Sequence, residues 1–232
     1  MAILTNKGCP KAVLATALST VPEVALVGDS EINFHYHPSA ISALYTSLQK
    51  KFSCTTRAYH TVNLWRQLIW QPIYLSVASC YRAKISTNLH ELKQVQTENT
   101  LYGLLVTSIV PHHTLEHAIN ANIKSLKKCL DHAFNTMKQV CHLSYGQSVK
   151  IVCDILANAF IRVSGITQFK ELTAALSNWQ HALFNKQHTF IFTERNTHKI
   201  KLATCCLHVQ VEPNNPCKNC PKNSIRRTTH AK

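Results

Sequence analysis

The chain has 232 residues, 45% hydrophobic and 8% aromatic, which excludes an intrinsically disordered polymer and gives enough length to bury an ordinary core. Lys and Arg number 25 against 11 acidic residues, so the net charge is +14 and favours an anionic partner: nucleic acid, an acidic membrane surface, an acidic redox protein or an anionic ligand. The five glycines, Gly8, Gly28, Gly103, Gly146 and Gly165, are too dispersed for a GxGxxG loop or a P-loop, which argues against an intrinsic NAD, flavin or ATP site of that kind.

Residues 10–20 read as a short helix and Glu23–Val27 as an apolar strand. The apolar run 12–27 is broken by Ser19, Thr20, Pro22 and Glu23, and lacks the small-residue cleavage site of a signal peptide. Pro38 opens a helix through Lys51, with Ile41, Leu44, Tyr45 and Leu48 at helical spacing. Val62, Trp65, Leu68 and Ile69 mark another helix, which Pro72 is expected to break or kink before Ile73–Tyr81. The uncharged stretch Gln67–Tyr81 is too short for a membrane-spanning helix, which needs roughly 20 apolar residues. Residues 84–96 and 100–110 read as two strands around a polar turn at Glu98–Asn99.

Beyond Pro111 three amphipathic helices follow. Leu115, Ile119, Ile123, Leu126, Leu130, Phe134, Met137 and Cys141 mark the first, Val149 to Val163 the second, and Phe169 to Leu183 a shorter third. Residues 188–193 and 198–204 form a predicted hairpin around Glu194–Thr197 that leads into Cys205. The expected fold class is α+β. A mixed α/β region spans 1–110, a helical region ending in the hairpin spans 111–204, and 205–232 is a cysteine-bearing terminal segment. The absence of a spanning or leader pattern points to a cytoplasmic protein, where thiols stay reduced and grouped cysteines serve metal or redox chemistry.

The terminal stretch reads CCLHVQVEPNNPCKNCPK: Cys205 and Cys206, ten residues, then Cys217-x-x-Cys220 followed by Pro221. Four thiolates satisfy a [2Fe–2S] cluster, two per iron, and they also satisfy a tetrahedral zinc ion. Zinc sites usually pair two knuckles of the CxxC type, whereas one half here is a bare Cys–Cys. Neighbouring side chains of a strand point to opposite faces, so Cys205 and Cys206 converge only if the strand ends there. Spacing alone leaves iron–sulfur and zinc both open.

The motif Cys-Cys-x10-Cys-x2-Cys resembles the C-terminal signature of the FhuF-type ferric-siderophore reductases, proteins similar in length with a helical body and a hairpin running into the double cysteine. The resemblance implies one [2Fe–2S] cluster on Cys205, Cys206, Cys217 and Cys220, no further catalytic group, and one-electron reduction of siderophore-bound Fe(III). It also implies an external donor such as a ferredoxin. Lys218 stands where the family often has glycine. Lys218, Lys222, Arg226 and Arg227 flank the motif and read either as a docking face for an acidic ferredoxin or anionic siderophore, or as a solvated basic tail. The net charge suits peripheral contact with an acidic inner membrane face. The alternative from another class is a zinc-stabilised nucleic-acid-binding protein, motivated by the charge and the CxxC.

Other signals are weaker. Asp154, Asn158 and Arg162 recur at i, i+4 and i+8 and read as the exposed edge of a helix more readily than as a ligand groove. His113 with His117, and His35 with His37, have ligand-compatible spacing but fall among 14 histidines. Trp65, Trp70 and Trp179 read as core, and Cys9, Cys54, Cys80, Cys129, Cys141 and Cys153 as buried or inert.

Overall fold

The computed structural model describes residues 10–19, 26–90, 92–194, 197–213, 215 and 220–221. Helix α1 spans Pro10–Leu18 and buries Leu14 and Leu18. Most of the strand expected at Glu23–Val27 lies outside the described residues, though Leu26 forms a parallel bridge to Leu104. Helix α2, Pro38–Lys51, starts where the sequence places it: Pro38 presets the first helical φ, and His37 Nδ1 accepts from Ser39 N–H at 3.4 Å.

Helix α3, Arg57–Ala83, organises the molecule. Thr56 caps it by accepting from Tyr59 N–H at 3.3 Å, and Lys84 ends it in the left-handed region, φ 52°. The break expected at Pro72 does not occur: α3 runs through it. Proline removes the N–H that would serve the carbonyl four residues back, that of Leu68. Tyr36 supplies the missing donor, its hydroxyl lying 2.6 Å from the Leu68 oxygen. The substitute comes from a residue 32 positions away, out of reach of local sequence rules.

Helices α4 (Leu115–Met137), α5 (Tyr145–Val163) and α6 (Phe169–Phe184) follow, and Thr114 and Ser144 cap the first two. Trp65 Nε1–H donates to Ser148 O at 3.2 Å and Arg82 Nε–H to Val163 O at 2.9 Å, so α3 and α5 run parallel and are tied at both ends. Antiparallel α4 packs against α3, with Trp65 against Phe134 at one end and Ser79 against Asn122 at the other. One hydrophobic core continues across residue 110 and includes Trp65, Phe160 and Trp179.

The described strands form three antiparallel pairs: β1 (Ile85–Thr87) with β4 (Ile109–Pro111), β2 (Lys93–Thr97) with β3 (Thr100–Leu105), and β5 (Phe190–Glu194) with β6 (Thr197–Lys201). The two long strands expected over 84–110 are therefore divided. Asn122 Nδ2 donates to Ile85 O, and Ser125 Oγ donates to Thr87 O while accepting from Leu89 N–H. These bonds fix residues 85–89 to α4, away from the β2–β3 turn. The hairpin itself docks on α3, where Gln67 Oε1 accepts from Leu101 N–H and Gln71 Oε1 from Gly103 N–H at its bulge. No helix among the described residues is long and apolar enough to cross a membrane.

Candidate metal centre and adjoining cleft

The double cysteine is held from below by a buried polar chain. Gln180, on α6, accepts from His188 and Thr189 N–H and donates to Thr189 O, fixing the start of β5. Thr189 Oγ1–H in turn donates to Asp154 Oδ1 at 2.6 Å. Asp154 is only 1% exposed, and its carboxyl also accepts from Ala203 N–H at 2.8 Å, Thr204 N–H at 2.9 Å and the Thr204 hydroxyl. A burial this deep is tolerable because both oxygens are fully engaged. Asp154 is thus an anchor for the two residues that precede Cys205, and the exposed-edge reading fails for it.

From there the chain turns over the starts of two helices. Leu207 adopts φ 61° and its N–H donates to Cys205 Sγ at 3.4 Å. A short 3-10 turn, His208–Gln210, follows, and Gln210 Oε1 accepts from both Thr56 N–H and the Thr56 hydroxyl at the N-terminus of α3. Residues Ala203–Cys205 and Leu207 share a cavity wall with Ser144, Gly146, Gln147 and Lys150 at the N-terminus of α5. Two helix N-termini, each carrying partial positive charge, therefore adjoin the cysteines and favour thiolate character when a metal is bound.

Cys205 Sγ lies 3.8 Å from Cys220 Sγ. A disulfide would need about 2.05 Å. Two sulfurs each about 2.3 Å from one tetrahedral metal ion are separated by about 3.8 Å, so the donor pair fits a shared metal. Burial raises the Cys205 thiol above its usual range; the Leu207 N–H works against this, and the nearby sulfurs of Cys220 and Cys206 add to it. Cys206 lines a separate cavity of about 210 Å³ with Tyr59, Asn63, Arg66 and His208. Burial and then the proximity of Cys206 push the Tyr59 hydroxyl up in turn. Cys217, Lys218, Lys222, Arg226 and Arg227 lie outside the described residues. Among the described residues no group of three or more His, Cys, Asp or Glu side chains is placed to hold a metal ion.

A larger cleft adjoins this region. Along α3 from Tyr59 to Cys80 every side chain is buried except Asn63, Arg66, Gln67 and Trp70, one stripe at helical spacing. That stripe, with Tyr74, faces Asn158 and Arg162 of α5 and Thr100–Tyr102 of β3 across a cavity of about 540 Å³. Arg162 lies over the Tyr74 ring, 5.8 Å from its centre. Asn63 and Arg66 also line the cavity that holds Cys206, so the two spaces share a wall.

No family model matches this chain, nor does any curated protein or solved structure. The sequence reading found the cysteines but missed both Asp154 as an anchor and the α3 stripe. Trp65 and Trp179 are buried in the core as expected; Trp70 packs against that core but is half-buried and also lines the cleft. The signal for the stripe was legible as Asn63, Arg66, Gln67, Trp70 and Tyr74, polar or amphipathic residues at i, i+3, i+4, i+7 and i+11 in an otherwise apolar helix. His113 and His117 are exposed at the start of α4, and His37 serves as a helix cap, so none of these joins the cysteines.

Proposed function

We propose that this protein is a cytoplasmic one-electron reductase of ferric siderophores, with a [2Fe–2S] cluster held by Cys205, Cys206, Cys217 and Cys220. The observation that carries the reading is the 3.8 Å approach of Cys205 to Cys220 across 15 residues of chain, at the spacing two ligands of one metal ion require. The likeness of the terminal motif to that of the FhuF-type reductases supplies the activity.

Bound there, the cluster supplies one electron at a time, the requirement for turning Fe(III) into Fe(II). Hard oxygen donors hold Fe(II) far less tightly than Fe(III), so the substrate releases its metal once reduced. The chain's own part is positional. Asp154 fixes the approach to Cys205, Gln210 ties the following turn to α3, and the Leu207 N–H directs a hydrogen bond at a ligand sulfur, a contact that tunes reduction potential. The basic residues Lys218, Lys222, Arg226 and Arg227 suit an acidic one-electron donor of the ferredoxin class.

The test is anaerobic mixing of dithionite-reduced, desalted protein with a ferric siderophore. Reoxidation of the visible spectrum with one Fe(II) trapped per chain is expected; a protein that stays reduced while the chelate stays ferric refutes the activity.

A further inference from the structure

We propose that the cavity between α4 and the β1–β4 pair is a second ligand site, one that takes a phosphate monoester carrying a compact organic group. It lies at the far end of α3 from the double cysteine. Strand β1 begins directly after Lys84, which ends α3, whereas Gln210 binds Thr56 at the start of that helix, and 27 helical residues span about 40 Å. The inference does not rest on the reductase reading.

The charge comes from α4. Lys124 and Lys128 stand four residues apart, so both ammonium groups rise from one helix face, and both line the cavity. Neither makes an ion pair or hydrogen bond to a described residue, and no Asp or Glu is among the described residues of the lining. Two ammonium groups without a protein counter-charge suit a phosphoryl dianion. The hydrogen bonds come from the strands. Most hydroxyls around the cavity are committed within the chain: Ser86 Oγ pairs with His112 Nε2 at 2.8 Å, and Ser125 Oγ serves Thr87 O and Leu89 N–H. Thr87 is the exception. It lines the same cavity, is only 3% exposed, and its hydroxyl has no hydrogen-bond partner among the described residues. Buried polar groups in folded proteins are nearly always paired, so an orphaned hydroxyl in the wall of a positively charged cavity points to an acceptor oxygen from outside the chain. Ser108, exposed on the opposite side of the strand pair, adds a second uncommitted hydroxyl. The volume, about 460 Å³, falls within the roughly 300–1,000 Å³ of small-molecule sites and exceeds what a bare phosphate fills. Val110, 49% exposed, and Ala121 supply an apolar wall for the organic part of an ester.

Titration calorimetry of the full chain with phenyl phosphate, in a buffer free of phosphate, is expected to show one saturable site, at least about tenfold tighter than for benzoate, an aromatic anion of single charge. Lys124→Gln/Lys128→Gln should weaken phenyl phosphate by about tenfold or more, and because both lysines are exposed the fold should be unaffected. Lys127→Gln/Lys170→Gln removes the same charge from exposed positions outside the cavity and should leave the affinity within about twofold. Thr87→Val keeps the side-chain shape and removes the hydroxyl. It should weaken binding by about threefold or more without lowering the melting temperature, since no hydrogen bond within the chain is lost. No saturable binding, equal affinity for benzoate, undiminished binding in either cavity variant, or an equal loss in the lysine control overturns the proposal. Vesicles of phosphatidylcholine with phosphatidic acid distinguish a free ester from a lipid headgroup: a chain that sediments with them but does not bind phenyl phosphate contradicts it as well. No arm reads iron or reduction, so failure here and failure of the reductase reading are told apart.

Discussion

Asp154 makes four hydrogen bonds from a site with almost no solvent access, and two of its donors are the backbone N–H groups of Ala203 and Thr204 just before the double cysteine. Asp154→Ala would leave those part-buried donors and the buried Thr189 hydroxyl without their acceptor, at up to about 1–3 kcal/mol for a fully buried group and less for the others. The expected outcome is a folded but destabilised chain that retains less iron per folded molecule than wild type; unchanged melting temperature and unchanged iron content contradict the anchoring role. Cysteine reactivity separates the residues in the same way. Burial pushes the Cys129 and Cys153 thiols up to about 12, and Cys80 higher still, while Cys54 is exposed. Brief treatment of native protein with iodoacetamide, followed by peptide mass mapping, should label Cys54 and spare Cys80, Cys129 and Cys153. Labelling of the buried three at the rate of Cys54 would disprove their placement.

At the scale of elements, most of the helices were legible because their apolar residues repeat at three and four positions, and the β5–β6 hairpin was legible from its turn. The break at Pro72 does not occur because Tyr36, distant in sequence, compensates for it. That gives a prediction. Tyr36→Phe leaves the Leu68 carbonyl without a donor and should cost about 1–3 kcal/mol, whereas in a Pro72→Ala background the restored helix N–H takes over and the same change should cost less. Equal costs in the two backgrounds, measured by urea denaturation, would refute the substitution of one donor for the other. The cleft was illegible for a related reason. Its stripes, on α3 and α5, each look like a solvated helix edge, and only the parallel packing fixed by Trp65 and Arg82 brings them face to face. A Cβ on Gly165 would meet the Arg82 guanidinium at 2.7 Å, at a backbone φ of +76°. Gly165→Ala should therefore loosen the far end of that packing.

Over the whole molecule, the raised thiols set the alkaline limit. In the unfolded chain a cysteine releases its proton near pH 8.5, while the folded chain holds those of Cys129 and Cys153 to about 12. Between these values the folded state binds more protons, so stability is intact below about pH 8.5 and falls as pH rises toward 12. Replacing both by alanine should flatten the slope of the urea midpoint against pH across that window, and an unaltered slope would contradict the assignment. The architecture concentrates its polar groups where the chemistry is proposed. Two parallel helix N-termini and an anchored loop hold Cys205 and Cys206 on one side of the Arg66–Asn63 partition, and a cleft lined by arginine and aromatic side chains lies on the other.

The central claim is that four sulfurs near the C-terminus grip two irons, and it is tested most directly by iron, zinc and acid-labile sulfide determination on protein purified without oxygen. The account predicts a red-brown protein with about two irons and two sulfides per chain, the colour and sulfide both lost in Cys217→Ser. A colourless protein carrying a single zinc, or a Cys217→Ser variant with undiminished iron and sulfide, would contradict it.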